Sequence, residues 1–202
     1  MTITQQAVNT AVDRLITEFE ARPADFNKEK SLQSRLRFLL EEELEPAQAE
    51  VAKTNLDRDG VSGTIQDRVV HTLHSAETIP RVVEEAGFGA QWGNEDSNQD
   101  SLDIAVLPKS ADFYMDASSK WYRLSEVEAA IELKFIKKDT KIDGNRDSIE
   151  SQIDRLKQFD SSTAAYMIVF AVKDVFSDQQ HIKEEMEIET PGTFLYTCTP
   201  LS

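Results

Sequence analysis

Leu102-Asp103-Ile104-Ala105-Val106-Leu107 and, further on, Ala129-Ala130-Ile131-Glu132-Leu133-Lys134-Phe135 decide how this chain is read. Both are apolar runs of strand length that carry ionisable side chains. Side chains at i and i+2 of a strand share a face. Glu132 and Lys134 therefore point one way, and Ile131, Leu133 and Phe135 the other, toward a core. On the first run Leu102, Ile104 and Val106 are expected to face that core and Asp103 to face away. If the two strands pair in register, two carboxylates and one ammonium meet at one spot.

The flanks extend the pattern. Ile79 to Phe88 reads as a leading strand that opens a hairpin closed by the strand of Asp103, with a polar turn over Gly93 to Ser101. Pro108, Lys109, Ser110 and the stretch from Asp116 to Lys120 read as a loop or an extended hairpin. After Phe135 a polar turn through Asp143-Gly144-Asn145 leads to a helix capped by Asp147 or Ser148. Ile149, Ile153, Leu156 and Phe159 give that helix one apolar face. Ala164 to Val172 is an almost continuous apolar run, the signature of a buried central strand. Strand, helix and strand in that order favour a right-handed parallel crossover.

The arrangement resembles the PD-(D/E)xK nuclease superfamily, the restriction-endonuclease-like fold, over about residues 80 to 175. Its motif falls on Asp103, Glu132 and Lys134; Leu102 stands where the family carries a proline, and the gap from Asp103 to Glu132 is long. The resemblance implies an α/β (α+β) domain with a mixed central β-sheet flanked by helices. The nuclease-like core would span 79–175, with residues 1–60 an N-terminal helical extension, all in one domain. It implies a Mg²⁺- or Mn²⁺-dependent nuclease acting on nucleic acid, DNA first, in which Asp103 and Glu132 ligate the metal with the Leu133 carbonyl. Lys134 would orient the attacking water. Mg²⁺ prefers oxygen ligands and keeps several waters, so two carboxylates suffice when a phosphate completes the shell. Relatives often add a Glu or Gln from the first core helix, here Glu29 or Gln33, and a Gln or Lys from the helix after the motif, here Gln152; Glu85 is another outer carboxylate. Cutting both strands of a duplex often takes two sites, which makes a homodimer compatible with this reading.

Bulk properties bound the alternatives. The 202 residues are 40% hydrophobic and 29% charged, with no apolar run near the ~20 residues of a membrane span. The first residues lack the features of a signal peptide, and a lone Cys198 fits a reducing cytoplasm. The net charge of −15 opposes nucleic-acid binding, which normally draws on a basic patch. Two features answer it. From Lys134 to Lys157 seven cationic residues exceed five anionic ones. A surplus of carboxylates also suits a halophilic protein in a salt-rich cytoplasm, where repulsion is screened.

Three other readings of the same letters remain. Asp103 can be an edge-strand charge, with Glu132 and Lys134 a salt-bridged pair. The chain can be a non-catalytic restriction-endonuclease-like binding or partner module. It can also be an acidic DNA-mimic inhibitor of a DNA-binding protein, although the cation excess near the motif argues against this.

Toward the N-terminus Val8, Val12, Leu15, Ile16 and Phe19 form a helical stripe ended by Pro23. Leu32, Leu36, Leu39, Leu40 and Leu44 form a second stripe, broken by Pro46. Glu50 to Gly63 is turn-rich, and Ile65 to Leu73 suits a short helix. Residues 177 to 187 suit a helix, and Thr193 to Thr197 a last strand. His71 and His74 sit at a ligand spacing but lack a third partner. Trp92, Trp121, Tyr114 and Phe113 suit core or loop anchors better than base-stacking platforms.

Overall fold

Two helices open the chain, strands fill its middle, and two strand–helix–strand returns close it. The computed structural model describes residues 2–44, 48–51, 78–88, 101–111, 113–116, 121–124, 127–137 and 142–199. The expected helix over 65–73, His71, His74 and Trp92 lie outside them.

Helix α1 spans Ile3–Ala21 and starts on a capping box, in which the Thr2 hydroxyl accepts from the Gln5 N–H and the Gln5 side chain accepts from the Thr2 N–H. Pro23 ends it in a single 3-10 turn. Helix α2, Glu29–Glu43, then runs back along α1. Strands β1 (Gln48–Val51), β2 (Thr78–Pro80) and β5 (Ser110–Ala111) form a small sheet in the order β2-β1-β5.

The main sheet is mixed and seven-stranded. It comprises β3 (Val82–Phe88), β4 (Ser101–Val106), β6 (Phe113–Asp116), β7 (Trp121–Leu124), β8 (Ala129–Ile136), β9 (Ala164–Ala171) and β10 (Thr193–Cys198), in the order β10-β9-β8-β4-β3-β7-β6. β3, β4 and β8 are successively antiparallel, β9 is parallel to β8, and β10 is parallel to β9. Helix α3 (Asp143–Leu156) connects β8 to β9, and helix α4 (Gln180–Glu189) connects β9 to β10. The five strands from β10 to β3 are those the four helices pack against. The architecture is α+β.

Each sheet face has its own core. Val8, Leu15, Phe19, Leu32 and Leu36 of α1 and α2 pack on Ile104, Val106, Ile131, Leu133, Ile168 and Phe170. Ile149, Ile153 and Leu156 of α3, with Ile182 and Met186 of α4, pack on Ala105, Ala130, Met167 and Val169. With both faces covered, β9 is buried along its whole length. The first two helices are therefore one layer of the sandwich rather than an extension to it.

Three local expectations are corrected. Residues 79 to 88 do not form one strand: Pro80 lacks an N–H for a ladder, and Arg81 leaves the sheet between β2 and β3. Its buried guanidinium donates to the Leu107 carbonyl (2.7 Å) and to Glu128 (2.6 Å), which also accepts from Thr4. Helix α3 begins at Asp143, earlier than Asp147 or Ser148, and Ser148 spends its hydroxyl on Lys134 instead of a cap. Leu102 packs in the α3 core, whereas Ile104 packs in the α1–α2 core.

Candidate functional site

The altered facing of Leu102 comes from a kink shared by two strands. β3 and β4 pair regularly through Glu84↔Ile104, and pairing resumes at Ala86↔Leu102. Between them Glu85 adopts φ 51°, a left-handed conformation that few non-glycine residues take. Both strands change phase here: Val82 belongs with Ile104 to the α1–α2 core, Ala86 with Leu102 to the α3 core. Asp103 sits at the phase change.

The kink also opens β4 from β8. Their register is Ala105↔Ala130 and Ile104↔Ile131, and one further step would set Asp103 opposite Glu132. There the ladder gives way to side chains. The Leu133 N–H donates to Asp103 Oδ2 (2.7 Å), and the Phe135 N–H donates to Glu29 Oε2 (3.0 Å). The Leu133 carbonyl accepts from Gln152 Nε2 (3.1 Å). Buried backbone groups require partners, and here acidic and amide side chains supply what β4 no longer does.

Two helices deliver those side chains at helical spacing. On α2, Glu29 and Gln33 are one turn apart, and Gln33 Nε2 donates to Asp103 Oδ1. On α3, Ser148, Gln152 and Arg155 form one stripe. Ser148 Oγ accepts from Lys134 Nζ (2.9 Å), Gln152 meets Leu133, and Arg155 grips Glu132 with Nε on Oε1 (2.8 Å) and Nη2 on Oε2 (3.0 Å). The stripe thus follows residues 134, 133 and 132 of β8 in order. Lys134 also lies 3.8 Å from Glu29. Among the residues expected near the motif, Glu29, Gln33 and Gln152 are brought to it. Glu85 instead pairs with Lys30 (2.9 Å).

The electrostatics are those of a crowded carboxyl pair. Glu132 is 0% exposed, and the Asp103 and Glu132 carboxyls lie within hydrogen-bonding and Coulombic reach of each other. Burial above all pushes Glu132 up to about 8, with the Asp103 charge adding and Arg155 opposing. Burial likewise raises Asp103 above the ordinary carboxylate range; the Leu133 N–H opposes and the Glu29 charge adds. Such a pair gains from any further positive charge.

Neither a known protein family, a characterised protein nor a solved structure matches the chain. Among the described residues no three His, Cys, Asp or Glu side chains are grouped to hold a metal. A cation here would rest on Asp103, Glu132 and the Leu133 carbonyl. The donor set fits a hard divalent ion: all oxygen, two anionic. Each carboxylate oxygen has two lone pairs, so the bonds already made leave acceptor capacity. Among the described residues, the buried Gln152 Oε1 beside this group has no hydrogen-bond partner, a polar atom able to take a water of the ion's shell.

Other candidates fare differently. Among the described residues of the cationic stretch from 134 to 157, Arg146 pairs with Glu150 and Glu185, Arg155 with Glu132, and Lys157 with Asp154 and Glu189. Phe113, Tyr114 and Trp121 lie on β6 and β7. Cys198, on β10, has its thiol pushed up by burial, the opposite of an activated nucleophile. Among the described residues no helix is long and apolar enough to cross a membrane.

Arg155 was missed by sequence reasoning. Its signal was present: a glutamate on the inward side of a covered strand needs a counter-charge, and the following helix offers one cation two turns after Ser148.

Proposed function

We propose that the chain is a Mg²⁺- or Mn²⁺-dependent nuclease of the restriction-endonuclease-like kind, hydrolysing phosphodiester bonds in nucleic acid, with DNA the first substrate to test. One observation carries the reading: Asp103 and Glu132 lie side by side where two antiparallel strands part, with the Leu133 carbonyl released from the ladder and Lys134 next in line. The order of elements supports it. A helix, an antiparallel pair of strands bearing the acids (β4 and β8, with three short strands between them in the chain), a helix and a parallel strand come in the order the resemblance implies.

In this reading Asp103, Glu132 and the Leu133 carbonyl bind the cation. When bound, a divalent cation polarises a phosphoryl oxygen and makes its water a stronger acid. Lys134 is anchored by a hydroxyl and only distantly by Glu29, so its ammonium retains donors for a water or a phosphate oxygen, where it offsets developing negative charge. Gln33 and the Leu133 N–H fix the rotamer of Asp103. Gln152 fixes the carbonyl.

The test is cleavage of mixed single- and double-stranded DNA and RNA with Mg²⁺ or Mn²⁺ at high potassium chloride, against a chelator control. Cleavage must vanish with the chelator and in Asp103→Ala and Glu132→Ala. Parental activity in either variant would remove the assignment.

A second reading has its own support. Arg155 occupies both oxygens of Glu132, as expected if the pair is permanent and the fold serves as a non-catalytic partner module. Absence of any Mg²⁺ or Mn²⁺ binding would favour it.

A further inference from the structure

Glu132 has two oxygens and Arg155 holds both, in the parallel two-bond geometry that is the strongest form of carboxylate recognition. Glu132 is fully buried, while Arg155 keeps 20% of its side chain exposed. One partner is fixed in the sheet; the other sits at the surface end of a long side chain, with a path to water. Asp103, the other acid, receives Gln33 and the Leu133 N–H on its oxygens, with the Arg155 charge acting on it as well.

We infer that Arg155 is an exchangeable internal counter-ion that holds the place of the divalent cation, and that cation binding requires its guanidinium to let go of at least one Glu132 oxygen. The inference rests on the reading of Asp103 and Glu132 as a cation site and adds how that site is regulated. Lone pairs remain on both Glu132 oxygens, but a guanidinium and a divalent ion held at contact distance on one buried carboxylate repel strongly. Arg155 thereby stabilises the metal-free fold and sets a threshold concentration below which the site stays closed. Helix α3 allows the exchange without unfolding. Gln152, one turn before Arg155, holds Leu133 independently, and Ile149, Ile153 and Leu156 keep the helix seated. Released, the guanidinium is positioned at the rim of the site. Arg155 acts through Glu132, and so it is a positioning residue.

The experiment compares Mg²⁺ binding by calorimetry in the parent, Arg155→Lys and Arg155→Gln at pH 9, in buffers of different ionisation enthalpy so that any proton held by Glu132 in place of Arg155 is counted. Lysine keeps the charge but loses the fork; glutamine loses both. Affinity should rise in the order parent, Lys, Gln, with Arg155→Gln tighter by about tenfold or more, because the ion then compensates a buried charge left unpaired. Should Arg155→Gln fail to fold without metal, Arg155→Lys against the parent decides alone. In the parent, the Arg155 Nε–H resonance should be protected from solvent exchange without Mg²⁺ and lose that protection on saturation. Equal or weaker Mg²⁺ binding in the variants, or an Nε–H still protected at saturation, overturns the exchange while leaving the cation site intact. Absence of binding in all three proteins overturns the cation site, and this inference with it.

Discussion

Glu132→Gln should stabilise the protein at pH 9 and leave it unchanged or slightly destabilised at pH 5. In the fold Glu132 is pushed up to about 8 from an ordinary 4.5, mainly by burial. A carboxyl raised on folding stabilises the native state fully below its unfolded value, and that contribution is lost as pH rises through the folded value. The parent should therefore lose stability from about pH 4.5 to about pH 8. The displacement corresponds to ~5 kcal/mol at about 1.4 kcal/mol per pH unit. Glutamine never ionises, so it escapes that loss; the value of about 8 already includes the opposing Arg155 bonds, so only the small difference between an amide and a neutral carboxyl as partners of Arg155 is set against it. At pH 9 the variant should exceed the parent by a few kcal/mol, on the order of 10 °C in Tm for a chain of this size. At pH 5, where the native parent is protonated, glutamine has nothing to gain and should be equal or slightly worse. Glu132→Ala should lose stability at both pH values, since it strips Arg155 of its partner and leaves a cavity. The assay is urea denaturation followed by circular dichroism in chelator. A Glu132→Gln protein less stable than the parent at pH 9 would mean that the Arg155 fork outweighs burial and that Glu132 is ionised throughout.

Other consequences can be measured separately. Mg²⁺ affinity of the parent should increase from pH 7 to pH 9, with protons released on binding, because the ion requires ionised carboxylates and Glu132 holds its proton up to about 8; calorimetry in buffers of different ionisation enthalpy counts those protons, and a flat profile would contradict the shift. Gly192→Ala should cost ~1–3 kcal/mol of stability by urea denaturation, since a Cβ there would fall 2.2 Å from the Ala165 carbonyl oxygen, a backbone atom held in β9; a neutral result would mean that β10 can slide on β9. Glu85→Gly should be neutral or stabilising by up to ~1 kcal/mol, because glycine accepts the left-handed conformation freely and the lost pair with the half-exposed Lys30 is worth little; a loss beyond ~1 kcal/mol would make the pair with Lys30, and not the backbone, the reason for glutamate there.

Periodic elements were legible because period and burial carry the same information. The stripe from Val8 to Phe19, the leucines of α2, and the unbroken apolar run of β9 each read directly into the observed cores. Glu132 and Lys134 read correctly as a pair on the side opposite Ile131 and Leu133. Strand phase was not legible wherever pairing departs from the regular ladder. Leu102 and Ile104 sit two apart and should share a face, yet the kink opposite Glu85 sends them to opposite cores. Nothing local marks that kink, since a glutamate and an aspartate are ordinary strand-edge residues. The polar partners were only partly legible. Glu29, Gln33 and Gln152 could be named as helix residues near a motif, but their targets are backbone groups freed by the kink, which no side-chain pattern encodes.

The kink therefore does more than bend two strands. A regular β4–β8 ladder would set Asp103 against Glu132 as a cross-strand pair of like charges, which is destabilising on any sheet face. It would also consume the N–H and carbonyl of Leu133 in the ladder. Parting the strands at Asp103 turns its carboxylate onto the Leu133 N–H and leaves the Leu133 carbonyl to Gln152, so a repulsive pair becomes a pair bridged by backbone donors and helix side chains. The left-handed residue at Glu85 costs ~1–3 kcal/mol, and the open ladder forgoes further hydrogen bonds. A sheet meant only to be stable would use neither. Two acids kept close and desolvated, around a backbone carbonyl held outside the ladder, form an arrangement whose strain is relieved by a proton or by a cation. Arg155 supplies one in the resting protein, and a divalent ion is the stronger alternative.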